Sequence, residues 1–197
     1  PMMPAFSVIF RTFGKNTVRD IFPDKTCIFP TGEKDMEKDT PVGKPGMYVS
    51  ERKSERLFIS FDPEADIIYT ASQLRGCDIV VVLDMHSATP RYLTYLRKMG
   101  ISYVVVENVM ELGDVLETLN KKFGIKSISL QGGGLLNGAM LNKGLIDELS
   151  LVVYPGLDCN KSSVSIFDNT VDALVGQLIL NLLSVQQKEN GVVWLRY

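Results

Sequence analysis

The stretch from Lys126 to Pro155 constrains the fold more than any other part of the chain. Lys126-Ser-Ile-Ser-Leu-Gln131 alternates Ile128 and Leu130 with polar neighbours and runs into Gly132-Gly133-Gly134, as a strand leaving a sheet does. Leu135, Leu136, Met140 and Leu141 follow at spacings that share one helical face, and Gly144 supplies a stop. Asp147-Glu148 then lead into Leu149-Ser-Leu-Val-Val-Tyr154, a β-branched run closed by Pro155-Gly156. Strand, glycine turn, helix and strand in this order predict a βαβ unit. Its turn has a physical use, because glycine lets backbone N–H groups approach an anion closely and the helix start adds the positive end of its dipole. A tight turn with no ligand fits the glycine triplet alone as well.

The same alternation extends upstream. Cys77–Leu83 is almost uninterrupted Ile and Val, the mark of a strand covered on both faces. Thr89–Met99 reads as a helix with Tyr92, Leu93, Leu96 and Met99 on one side, Tyr103–Val106 as a buried strand, and Leu112–Phe123 as a second helix stopped by Gly124. Leu57–Phe61 is a strand ending at Asp62-Pro63, and Ile67-Ile-Tyr69 reads as a short edge strand. Repeated strand and helix from Cys77 to Leu151 predict a parallel sheet with right-handed crossovers. Nearer the start, Phe6–Phe10 is read as a strand running into Arg11-Thr-Phe13, then Gly14-Lys15-Asn16-Thr17, then a helical face of Val18, Ile21 and Phe22 ended by Pro23. Pro30–Gly46 is a proline-containing, charge-alternating connector. After Pro155 helices give way to strands at Ser163–Phe167, Leu178–Gln187 and Val192–Tyr197, the last two joined by a Glu189-Asn190-Gly191 hairpin turn.

A length of 197 residues suits one domain, residues 1–197, and a net charge of −2 offers no footprint for nucleic acid or an acidic membrane. No apolar run reaches the roughly 20 residues of a membrane helix. Cys27, Cys77 and Cys159 are odd in number and far apart, so free thiols in a cytoplasmic, reducing compartment are expected and a zinc site is not. His86 is the only histidine, and as a strand-end residue it reads as a loop position more readily than as an acid or base. Asp84 is too close in sequence to orient His86 from a second element, and no HExxH, CxxC or carboxylate cluster is present. The sequence therefore singles out no catalytic residue and no metal ligand. Asp147-Glu148 reads as structural, and Tyr92 and Tyr95 as core.

Leu130-Gln-Gly-Gly-Gly-Leu-Leu-Asn-Gly-Ala-Met-Leu, followed by Gly144-Leu-Ile-Asp-Glu-Leu, resembles the signature of bacterial riboflavin-biosynthesis reductases, a family with the dihydrofolate reductase fold. Gly14-Lys15-Asn16-Thr17 resembles the Gly-Arg/Lys-x-Thr turn at which enzymes of that fold hold cofactor phosphates. The resemblance implies a mostly parallel sheet with helices on both faces and an antiparallel C-terminal hairpin. It implies an NADPH-dependent reductase of a pyrimidine- or pterin-like heterocycle, similar to 5-amino-6-(5-phosphoribosylamino)uracil reductase. Cofactor contacts would fall on Gly14, Lys15, Asn16 and Thr17 and on Gly132, Gly133, Gly134, Leu135, Leu136 and Asn137. Family members usually carry an acidic residue where this chain has Gln131, a position that meets the substrate. Their opening strand with Ser-x-Asp-Gly has no counterpart upstream of Gly14, so the chain is expected to lack it. A dinucleotide-binding sensor or interaction protein on the same fold is the alternative. Homodimers are expected, because Leu178-Ile-Leu-Asn-Leu-Leu183 is more apolar than one buried face of an edge strand requires.

Overall fold

The structure is a computed structural model that describes the backbone of residues 10–13 and residues 40–157, 165–168 and 178–197. The expectations for Phe6–Ile9, for the helix after Val18 and for Cys27 and Cys159 lie outside those residues. The chain forms two compact units, Pro1–Gly133 and Gly134–Tyr197.

The first unit is built on one sheet. Its strands are β1 (Phe10–Phe13), β2 (Gly46–Tyr48), β3 (Leu57–Phe61), β4 (Gln73–Leu74), β5 (Cys77–Asp84), β6 (Ser102–Val106) and β7 (Ile128–Leu130), in the order β2-β6-β5-β3-β1-β7 with β4 beside β5. All pairs from β6 across to β7 are parallel, whereas β2 and β4 run antiparallel to their neighbours. The Ile/Val run of β5 is buried on both faces, with Val80, Val81, Val82 and Leu83 fully inaccessible. One face gathers Phe58, Ile79, Val81, Leu83, Tyr103 and Val105 with Tyr92, Leu93 and Leu96 of helix α1 (Pro90–Lys98) into a single core. Helix α2 (Leu112–Phe123) buries Leu112, Val115, Leu119 and Phe123, the spacing of one helical stripe.

Local chemistry fixes the ends of these elements. Thr89 caps α1 by accepting the Tyr92 amide at 3.2 Å, and Pro90 occupies the first helical position, where its missing N–H costs nothing. Gly124 closes α2 in the left-handed conformation at φ +69°, which a side chain would strain. The edge strand β2 is held through Arg97, whose guanidinium lies 5.8 Å from the Tyr48 ring centre and 5.6 Å from that of Tyr103 and whose Nε donates to the Tyr103 hydroxyl at 2.8 Å.

The second unit holds helix α3 (Gly134–Asn142) and a three-stranded antiparallel sheet, β8 (Ser150–Val153), β10 (Val193–Arg196) and β9 (Ser184–Gln187), in the order β8-β10-β9. The hairpin between β9 and β10 turns at Asn190-Gly191, with φ of 59° and 75°. Asn and Gly are the residues that tolerate this turn, so the signal in the sequence was direct. Glu148 accepts both Arg196 Nε and Nη2 at 2.7 Å, which confirms the structural reading of Asp147-Glu148 at its second residue. This pairing pulls the Glu148 carboxyl below and the Arg196 guanidinium above their ordinary values.

Four expectations are corrected. Strand β8 does not complete a βαβ unit with β7; it pairs antiparallel with β10 in the second sheet. A local strand–helix–strand pattern carries no record of which sheet its last strand joins. Ile67–Tyr69 is no strand: Ile67 and Tyr69 are buried as loop residues, tied down by the Asp62 carboxylate and by Ser60. Leu178–Gln187 is regular only from Ser184, and residues 165–167 of the Ser163–Phe167 run are not a strand, with a bend at residues 166–167. No described helix is long and apolar enough to cross a membrane.

Candidate functional site

The strands that precede the two glycine-containing stretches in the sequence are neighbours. β1 pairs parallel with β7, placing Phe10 opposite Ile128, Arg11 opposite Ser129 and Thr12 opposite Leu130. The carboxyl ends of the two strands therefore lie side by side, about 4.8 Å apart in the pairing direction. From β1 the chain moves outward through β3, β5 and β6, then returns to the opposite side of β1 for β7. The strand order reverses between β1 and β7, and open α/β sheets bind ligands at the carboxyl ends flanking such a switch point. Phe13 at one end is followed in the sequence by Gly14-Lys15-Asn16-Thr17, and Leu130 at the other by Gln131-Gly132-Gly133. Gly14–Thr17 lie outside the described residues.

In the first unit, Gln131 and Gly133 are exposed and Gly132 is buried. None of the three glycines 132–134 uses left-handed backbone, so their value is the missing side chain and not an unusual φ. Gln131 donates from Nε2 to the Ser129 hydroxyl at 3.2 Å and brings no charge to the turn. Its amide carries both a donor and an acceptor, where a carboxylate offers acceptors only.

In the second unit, Gly134 has a separate duty. A Cβ there would collide with Asp168 Oδ2 and lie 2.8 Å from the Ser165 carbonyl oxygen. The Asp168 amide donates to the Gly134 carbonyl at 2.9 Å, and Asn137 Nδ2 donates to the Ile166 carbonyl at 2.8 Å. The third glycine and Asn137 thus seat residues 165–168 on the first turn of α3. Leu135 is exposed and Leu136 half-buried.

His86 is exposed at the carboxyl end of β5, and the nearby Asp84 carboxylate accepts its backbone N–H at 2.8 Å as a turn former. That is the loop role read from the sequence. Among the described residues no group of three His, Cys, Asp or Glu side chains could hold a metal ion. Sequence pattern does not reveal the buried Asp62 that follows β3, which is completely inaccessible and accepts a hydrogen bond from or donates one to the Tyr92 hydroxyl at 2.7 Å. A lone Asp before Pro63 signals only a strand end.

A mostly parallel α/β sheet together with an antiparallel hairpin sheet is a dihydrofolate-reductase-like fold. The family model described as the RibD C-terminal domain matches residues 13–194, and the chain belongs to that family. Acinetobacter baumannii RibD is similar over 95% of this chain with 20% identity and a TM-score of 0.61; the chain spans 46% of that protein's length. A pyrimidine reductase-like protein from Corynebacterium diphtheriae is similar over 96% of this chain and 75% of its own, with 15% identity and a TM-score of 0.64. A riboflavin biosynthesis protein from a Shewanella species covers the whole chain at 16% identity, with a TM-score of 0.51 and 82% of its own length matched.

Proposed function

We propose that the chain is an NADPH-dependent reductase of a pyrimidine- or pterin-like heterocycle in riboflavin synthesis, working as 5-amino-6-(5-phosphoribosylamino)uracil reductase does. The observation that carries this reading is the parallel pairing of β1 with β7, the strands whose carboxyl ends precede Gly14 and Gln131 in the sequence, at the point where the strand order reverses. Membership in the RibD C-terminal domain family supports the reaction class. The residues at the turn fit a dinucleotide: Gly133 is exposed without a side chain, and Gln131 adds no carboxylate to repel phosphate. Backbone N–H groups of Gly132 and Gly133 would hold the pyrophosphate together with Gly14–Thr17, and Gln131 would orient the heterocycle by its amide. The bound nicotinamide supplies the hydride, which is why the chain needs no nucleophile or metal of its own. A buried free thiol at Cys77 suits a reducing cytoplasm.

Oxidation of NADPH by aminouracil and pterin acceptors, followed by absorbance, tests the proposal. Acceptor-dependent oxidation is expected. Tight binding without turnover on any acceptor selects the second reading, a dinucleotide-binding sensor, which the neutral Gln131 favours. Absence of binding contradicts both.

Lys15→Ala is expected to weaken NADPH by roughly 1.5–3 kcal/mol and NADH by less, the size of a lost charge-assisted contact to the 2′-phosphate. Calorimetric titration with both cofactors checks it; equal losses would move Lys15 to the shared pyrophosphate.

Dimerisation belongs to the same proposal and rests on the second unit. Register places Leu151, Val153, Val185, Val193 and Leu195 on one face of its sheet. Val153 and Val185 are exposed, as are Ile179, Leu182 and Leu183 in the segment before β9. Exposed apolar patches mark interaction surfaces and two-fold dimers are the commonest oligomers, so a second copy is the occupant proposed for this face. Light scattering is expected to give twice the 21.9 kDa chain mass at micromolar concentration, and a monomer mass would refute it.

A further inference from the structure

Tyr92 of α1 presents one hydroxyl to two acceptors. Asp62 Oδ2 lies 2.7 Å from it and the Ile67 carbonyl oxygen 2.8 Å. A tyrosine hydroxyl carries a single proton, so it cannot satisfy both as a donor. Asp62 is fully buried at the end of β3, where an ionised carboxylate is costly. We infer that Asp62 is held as the neutral acid, donating from Oδ2 to the Tyr92 oxygen, while Tyr92 donates its own proton to the Ile67 carbonyl. Every polar atom of the three is then paired. The Ile67 amide still reaches Oδ2 at 3.1 Å and the Asp66 amide Oδ1 at 3.4 Å, since both oxygens keep lone pairs.

Loss of the Asp62 proton inverts the chain of bonds. The Tyr92 hydroxyl turns to the new carboxylate, and the Ile67 carbonyl loses that donor. The loop from Asp62 to Ile67 stands at the carboxyl edge of β3, the neighbour of β1, so one buried proton governs how firmly α1 is tied to that edge. Burial raises the Asp62 carboxyl above its ordinary range; the Tyr92 and Ile67 hydrogen bonds oppose this, the Asp66 carboxylate adds to it, and the Asp66 amide opposes it. The titratable groups facing the pair among the described residues are Tyr92 and Tyr95 from α1, Asp66 from the loop and Tyr69 beyond it. The native state binds this proton more tightly than the unfolded chain. Its stabilising share is complete below the ordinary aspartate pKa and is lost as pH rises through the raised native one.

Asp62→Asn supplies the neutral, donating form at every pH. Urea midpoints of the wild type and Asp62→Asn, measured across that interval, are expected to diverge with rising pH in favour of the variant. A constant difference, or one that grows in favour of the wild type, overturns the inference. Should Asp62→Asn fail to fold, the carboxyl carbon of Asp62 in isotope-labelled wild type decides by NMR. A titration midpoint above that of ordinary aspartates supports the neutral acid, and one at or below it refutes it.

Discussion

Gly133→Asp is expected to leave the fold intact and to abolish NADPH binding. Gly133 is exposed and sits in the turn that follows β7, outside the buried core. The cost of the new side chain falls on the ligand. A carboxylate about 4 Å from a phosphate charge, at the effective dielectric of a protein surface, repels it by about 4 kcal/mol. That is roughly a thousandfold in affinity, since each 1.4 kcal/mol is a factor of ten. Calorimetric titration measures the loss, and circular dichroism establishes that the variant is folded. Gly133→Ala separates charge from bulk and should lose far less. Unchanged affinity in folded Gly133→Asp would remove the turn from the site.

The largest effect on stability away from the apolar core is expected at the opposite edge of the sheet. Asp78, at the start of β5 and nearly buried, accepts the Lys53 and Ser54 amides at 2.8 Å on Oδ2 and Gln73 Nε2 at 2.7 Å on Oδ1. One carboxylate thereby ties the loop before β3 and the short strand β4 to the central strand. Asp78→Ala leaves three donors without their acceptor, and each orphaned donor costs about 1–3 kcal/mol when water cannot reach it. Partial access of water to this loop places the total at about 3 kcal/mol. Chemical denaturation checks the value. Asp78→Asn keeps one acceptor oxygen and should lose an intermediate amount; a loss below about 1 kcal/mol for Asp78→Ala would mean the loop is held by other contacts.

The elements readable from the sequence were those whose burial is simple. β5 announces itself because both its faces are covered and Ile79–Leu83 admits no polar residue. α1 and α2 carry single apolar stripes between recognisable ends, Thr89 and Gly124 among them. Ile67–Tyr69 misled because an apolar triplet looks the same whether a sheet or a polar clasp buries it, and the clasp depends on Tyr92, distant in the chain. β4 has two residues, too few for any period to show. β8 was legible as a strand, but its partner β10 comes from the far end of the chain. For the proposed site, the glycine stretch and Gln131 stand out in the sequence by their residue types, whereas the adjacency of β1 and β7 does not, because it follows from strand order. Gly134 was read with its two neighbours as an anion contact, yet its missing Cβ leaves room for Asp168 and Ser165. That need arises from residues 165–168, which no local pattern links to the triplet.

The central claim is that a nicotinamide dinucleotide binds where the sheet order reverses. Backbone amide NMR shifts on titration with NADPH test it most directly. The account predicts that the largest changes fall on Gly14–Thr17 and Gln131–Gly133, while Lys53 and Ser54 at the other edge stay unmoved. Amides at β1 and β7 that do not respond to saturating NADPH, or changes centred on the Lys53–Ser54 edge, would contradict it.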